Sequence, residues 1–206
     1  VGLLDDERCC SIAMVSNGLI KAATKNARHN VSIMEKTVEK TGAPIVGASS
    51  TCIMTMRDEY PHLLGIDNSR VRDSLDLATK FIFKKISEGK KLNFRKDFHA
   101  RIAYHTPCHL ERLGWEYFSI ELLKMIPGVE LTVLESNCCG IAGTYGFKKE
   151  NYEVSQAIGR PLFEQIAAVG PDFVACDCET CKWQIEMSTG VSVKHPVSVL
   201  AEAICD

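Results

Sequence analysis

Apolar positions along the chain fall into two alternating patterns. Short compact runs occupy 45–48, 102–105, 131–134 and 173–175, the length and composition of buried strands. Longer stretches at 73–88, 115–126, 151–169 and 196–204 repeat apolar residues three and four positions apart, which predicts amphipathic helices. Pro196 suits the first turn of the last of these, where its missing N–H has no partner to lose. Strands alternating with helices predict an α/β fold, with a small, mainly parallel sheet flanked by helices in each half.

The two halves share a spacing. Cys10 to Cys52 and Cys139 to Cys181 are both 42 residues apart, and each second cysteine follows an adjacent Cys-Cys pair. Superposed at this offset, Ser49-Ser50-Thr51-Cys52 falls on Cys178-Glu179-Thr180-Cys181, and the apolar segment around 45–46 falls on the one around 173–174. An internal duplication explains this economically. The apolar periodicity stops in the polar stretch 89–97, which predicts a first cysteine-rich domain over 1–93 and a second over 94–206.

Composition limits the function classes. With 206 residues, 46% hydrophobic and 24% charged, the chain has the make-up of a soluble globular protein. A net charge of −2 and no dense basic stretch argue against nucleic acid as a partner. No apolar run approaches the roughly 20 residues of a membrane-spanning helix. The chain begins at Val1 without a leader pattern, so it is expected to be an interior piece of a longer polypeptide. Ten cysteines demand a chemical reason, and the apolar segments suffice for a core that needs no disulfide framework, so thiolate ligands are favoured.

Cys178 and Cys181 have CxxC spacing, which alone fits a zinc half-site, a redox dithiol or an iron–sulfur half-site. Two further groups accompany it: Cys108 in Tyr104-His105-Thr106-Pro107-Cys108-His109, and the pair in Asn137-Cys138-Cys139-Gly140. All three follow predicted strands, whose carboxyl ends share one edge of a parallel sheet. Five converging thiolates exceed the four ligands of tetrahedral zinc, whereas an iron–sulfur cluster with several irons uses them all and offsets their charge. Gly140, Gly143 and Gly146 allow the tight turn that an adjacent cysteine pair requires.

These segments resemble the cysteine-rich CCG domain family, which includes the B subunits of heterodisulfide reductases and electron-transfer components of quinone-linked dehydrogenases. Within it, Arg57-Asp58-Glu59-Tyr60-Pro61, the stretch from Cys139 to Tyr152, and Asp177-Cys178-Glu179-Thr180-Cys181-Lys182-Trp183-Gln184 resemble the C subunits of bacterial anaerobic glycerol-3-phosphate dehydrogenases. The resemblance implies an iron–sulfur electron-transfer subunit in anaerobic respiration, peripheral to the cytoplasmic face of the inner membrane. It would pass electrons from flavin-containing catalytic subunits to membrane quinone and would not be an enzyme by itself. It also implies a 4Fe-4S cluster of non-cubane type on Cys108, Cys138, Cys139, Cys178 and Cys181.

The first half departs from this pattern. Ser49 stands at the first CxxC position, Ser11 replaces the glycine after the pair, and the equivalent of Cys108 falls about 20 residues before Val1 at the repeat offset. Cys9, Cys10 and Cys52 remain as candidate ligands, and no stable cluster is expected on them alone. Cys176 and Cys205 read as inert thiols, and His105, His109 and His195 as packing or hydrogen-bonding groups. No catalytic constellation emerges, and the glycine series lacks the spacing of a nucleotide loop. The rival readings are a glycolate- or lactate-oxidising complex, a heterodisulfide-reductase-like thiol/disulfide protein and a structural zinc protein.

Overall fold

The computed structural model of the chain describes residues 1–205. They divide into two compact units, Val1–Leu77 and the remainder from Ala78.

The first unit contains α1 (Ile12–Ser16), α2 (Ile20–Thr41), β1 (Ile45–Gly47), α3 (Ser50–Met54), a five-residue π-turn (Thr55–Glu59), α4 (Tyr60–Leu64) and β2 (Leu75–Leu77). β1 and β2 pair in parallel, Ile45 opposite Leu75. The buried face of α2 consists of Ala23, Ala27, Asn30, Val31 and Met34. Three of these are small or polar, so a reading based on large apolar residues passes over this 22-residue helix. Around it pack Tyr60, Leu64, Ile66, Val71 and Leu75. Burial of each large apolar side chain here contributes about 1.5–3 kcal/mol, which is how a two-stranded unit holds together.

The second unit comprises α5 (Ala78–Ser87), β3 (Ala100–Tyr104), α6 (Cys108–Leu113), α7 (Glu116–Lys124), β4 (Val129–Val133), α8 (Tyr152–Val169), β5 (Phe173–Ala175), α9 (Glu179–Thr189), β6 (Val193–Lys194) and α10 (Pro196–Ala203). Its four strands are all parallel, in the order β4-β3-β5-β6. Each strand-to-strand connection carries helix, as parallel neighbours require. Ala103, Val174, Leu162, Ile166, Ile185 and Val193 form the core beneath the sheet.

The α/β class with two small parallel sheets is as the sequence implies, and all four predicted strands are present. One element is corrected. The stretch 73–88 is not a single helix, because Leu75, Asp76 and Leu77 are wholly buried in the parallel pairing with β1 and the helix starts only at Ala78. Helix α5 packs on α7 and α10, with the Phe83 ring 5.7 Å from Tyr117 and 5.5 Å from Phe118. Its apolar stripe therefore serves packing within the second unit. No helix among the described residues is long and apolar enough to cross a membrane.

Candidate metal centre

The carboxyl ends of three neighbouring strands bring the second unit's cysteines together. After β3 the chain turns through Thr106-Pro107 and starts α6 at Cys108, with extended Pro107 as the capping residue. After β4 it reaches Cys138-Cys139, and after β5 it reaches Cys176, Cys178 and the first turn of α9. The Cys139 thiol lies 3.1 Å from the Cys181 sulfur. Cys108 hydrogen-bonds with Cys138, Cys138 with Cys139, and Cys181 with both Cys176 and Cys178. All five predicted ligands thus form one continuous sulfur cluster. Cys205 is exposed near the chain end.

The thiols differ electrostatically. Hydrogen bonds from Cys108 first, and from Cys139 and the Gly140 N–H as well, hold Cys138 as a thiolate with a pKa of about 2. The Gly140 N–H lies 3.3 Å from that sulfur. Cys108 and Cys139 move the other way, each raised chiefly by its hydrogen bond to Cys138 and then by burial or its other sulfur neighbour. So many sulfurs in contact cannot all ionise unless a cation offsets their charge.

A polar framework fixes the sulfur-bearing loops. Ser155 of α8 donates to the Gly140 carbonyl at 2.9 Å, and Gln184 of α9 donates to Ser155 Oγ at 2.9 Å, tying the cysteine pair to the CxxC helix. Asp177, fully buried between Cys176 and Cys178, accepts from Tyr104 Oη at 2.7 Å, Ser119 Oγ at 2.9 Å and Thr79 Oγ1 at 3.3 Å. Burial raises its pKa, which these bonds and His195 partly counter. His195 Nδ1 also caps α10 by accepting from the Val197 N–H, so it is structural as the sequence implies. Sequence reasoning gave no role to Ser155, and Asp177 and Gln184 entered it only as members of a segment that resembles the family. His105 is 1% exposed, and neither of its ring nitrogens has a hydrogen-bond partner.

The first unit repeats the arrangement with fewer sulfurs. Cys10 hydrogen-bonds with both Cys9 and Cys52, and Cys52 lies in the first turn of α3 as Cys181 does in α9. The Ser11 N–H lies 3.4 Å from the Cys9 sulfur, matching Gly140 and Cys138. Ser49 sits at the Cys178 position and caps α3 by accepting from the Cys52 N–H. Asn30 holds the segment before the pair, accepting from the Arg8 N–H and donating to the Arg8 carbonyl, both at 2.9 Å. The three cysteines open on a cavity of about 510 Å³ lined also by Asn30, Met34 and Ile53. Nothing in its spacing marked Asn30.

The donor set fits a sulfur-ligated metal group. Its sulfurs are soft and more numerous than tetrahedral zinc requires, and an orphaned buried imidazole lies beside them. The sequence matches the family described as a cysteine-rich domain, CCG, over residues 1–57 and 102–186. It is 52% identical over 204 residues to the C subunit of anaerobic glycerol-3-phosphate dehydrogenase from Escherichia coli, covering 99% of this chain and 51% of that protein. It is 32% identical to lactate utilization protein A of an Exiguobacterium species, covering 72% and 62%. It is 27% identical to the B subunit of fumarate reductase (CoM/CoB) from Methanothermobacter marburgensis, covering 91% and 36%. The chain spans about half the length of the glycerol-3-phosphate dehydrogenase proteins it matches.

Proposed function

The chain belongs to the cysteine-rich CCG domain family, and from that membership we propose that it is the iron–sulfur electron-transfer part of a quinone-linked glycerol-3-phosphate dehydrogenase. The observation that carries the proposal is the meeting of Cys108, Cys138, Cys139, Cys178 and Cys181 at the ends of β3, β4 and β5. These five residues hold the cluster, a 4Fe-4S group of non-cubane type. When bound, such a group accepts and releases electrons one at a time, the step needed between a two-electron flavin and quinone.

The residues around the sulfurs position the group and shield it. Gly140 presents a backbone N–H to Cys138, Ser155 and Gln184 hold the pair against α9, and the Asp177 network holds the CxxC turn. The partners are flavin-containing catalytic subunits and membrane quinone, with the complex peripheral to the cytoplasmic face of the membrane. The chain itself turns over no substrate. In the first unit Cys9, Cys10 and Cys52 form a three-sulfur site that needs another donor to hold a cluster, since Ser49 is engaged at the helix start.

Purification without oxygen, followed by iron, acid-labile sulfide and zinc determination, tests the reading. Several irons with matching sulfide per chain are expected; folded protein with neither would overturn it. The similarity to lactate utilization protein A favours a second reading, in which the electrons come from a lactate-oxidising complex. Reduction of the loaded protein by the glycerol-3-phosphate-oxidising subunits, and not by a lactate-oxidising system, separates the two.

A further inference from the structure

His105 directly follows β3, and its N–H donates to the Ala175 carbonyl at 3.0 Å, which fixes the ring's backbone between the two central strands. The side chain is buried, both ring nitrogens lack partners, and a ring nitrogen and the sulfurs of Cys176 and Cys181 lie within 4.8 Å of one another. A neutral imidazole carries one N–H donor and one acceptor nitrogen, and leaving both unmade in a protein interior is costly. One ring nitrogen thus faces two sulfurs.

Their chemistry separates donor from acceptor. Cys176 carries an S–H, which lies 3.6 Å from the Cys178 carbonyl and in hydrogen-bond contact with Cys181. Cys181, as a metal-bound thiolate, has no proton to give and is an acceptor. We infer that His105 is a positioning residue for the proposed cluster, its ring N–H donating to Cys181 Sγ, the same sulfur with which Cys176 hydrogen-bonds. This rests on the cluster reading above. It gives a role to a buried histidine that the ligand set leaves unused. Hydrogen bonds to a ligating sulfur draw charge from it and favour the reduced, more negative state, so the bond from His105 to Cys181, with that from Cys176, raises the reduction potential.

The test uses the full chain purified without oxygen, as His105→Phe, His105→Gln and Cys176→Ala. The readouts are iron and sulfide content, midpoint potential by titration under electron paramagnetic resonance, and hyperfine coupling from ¹⁵N-labelled histidine. His105→Phe is expected to keep iron and sulfide and to lower the potential by about a tenfold change in the one-electron equilibrium, about 59 mV. His105→Gln restores part of the shift, Cys176→Ala gives a smaller shift of the same sign, and a weak ¹⁵N coupling disappears only in the His105 variants. Unchanged potential with iron retained would overturn the inference. So would iron loss together with a strong, directly bonded nitrogen coupling in the parent protein, which would make His105 a ligand. Should His105→Phe fail to fold, the ¹⁵N coupling of the loaded parent protein decides, its absence overturning the inference. A parent protein without iron or sulfide sinks the cluster reading itself.

Discussion

Replacing Gly140 by serine, the residue that stands at the matching position in the first half, gives a sharp test of how the cysteine pair is held. Gly140 has φ +89°, and a Cβ built there would lie 2.0 Å from the Ser155 carbonyl oxygen and 3.2 Å from the Gly159 N. The obstacle is helix backbone, which cannot swing aside as a side chain would. Left-handed backbone at a residue with a Cβ costs about 1–2 kcal/mol. Forcing atoms into a packed site adds about 1–3 kcal/mol. Gly140→Ser should therefore destabilise the second unit by about 2–5 kcal/mol, a large part of the roughly 5–15 kcal/mol of a typical domain. Ser11 tolerates φ +77° because its Oγ donates to the Cys9 carbonyl at 3.1 Å. The reverse swap, Ser11→Gly, relieves the strain and loses that bond, so its net effect should stay within about 1 kcal/mol. Urea unfolding reads both through the midpoint, provided the slope is unchanged. A shift under about 1 kcal/mol for Gly140→Ser, or a larger loss for Ser11→Gly, would refute the steric reasoning.

Three other outcomes follow from the same geometry. Cys139→Ser should abolish iron binding in the second unit whereas Cys205→Ser leaves it intact, since only Cys139 lies against another cluster sulfur; equal iron loss in both would mean the ligands are misassigned. In metal-free chain at neutral pH, Cys9, with a pKa of about 5, and Cys138, at about 2, are exposed thiolates. Peptide mass mapping after brief iodoacetamide treatment should find them alkylated well before buried Cys10 and Cys139, and the opposite order would contradict the hydrogen-bond pattern. Burial lowers His105 from 6.5 to about 4, so as pH falls the unfolded chain takes up this proton first. The metal-free protein should be fully supported above pH 6.5 and lose roughly 3 kcal/mol as pH falls through 4, a slope that His105→Phe flattens.

The sequence disclosed most where chemistry and periodicity coincided. The strands at 45–47, 100–104, 129–133 and 173–175 are β-branched or aliphatic runs in parallel pairs, and the cysteines mark the strand ends directly. Helix α2 stayed hidden because three of its five buried residues, Ala23, Ala27 and Asn30, are small or polar, so its stripe holds few large apolar side chains. The stretch 73–88 misled for the opposite reason. Leu75 and Leu77 continue a helical apolar spacing, yet parallel pairing with β1 claims them for a strand, a contact set by residues 30 positions away. Asp177, Ser155, Gln184 and Asn30 were invisible as site residues. Each acts through hydrogen bonds to partners distant in sequence, and no local pattern records such a bond.

The helix starts that carry the paired positions differ in how they are capped. Cys178 and Ser49 occupy the same capping place before α9 and α3, both in extended backbone. Ser49 accepts from the Cys52 N–H there, a bond typical of good N-caps and worth about 1 kcal/mol. Cys178 makes no cap bond and instead contacts Thr180 Oγ1 at 3.3 Å. A thiol at this position is a poor choice for helix stability alone, since sulfur accepts hydrogen bonds weakly. Serine is the better cap here, as Ser49 is for α3. Cysteine at 178 thus gives α9 a weaker start than Ser49 gives α3, a cost that the ligand role proposed for Cys178 accounts for.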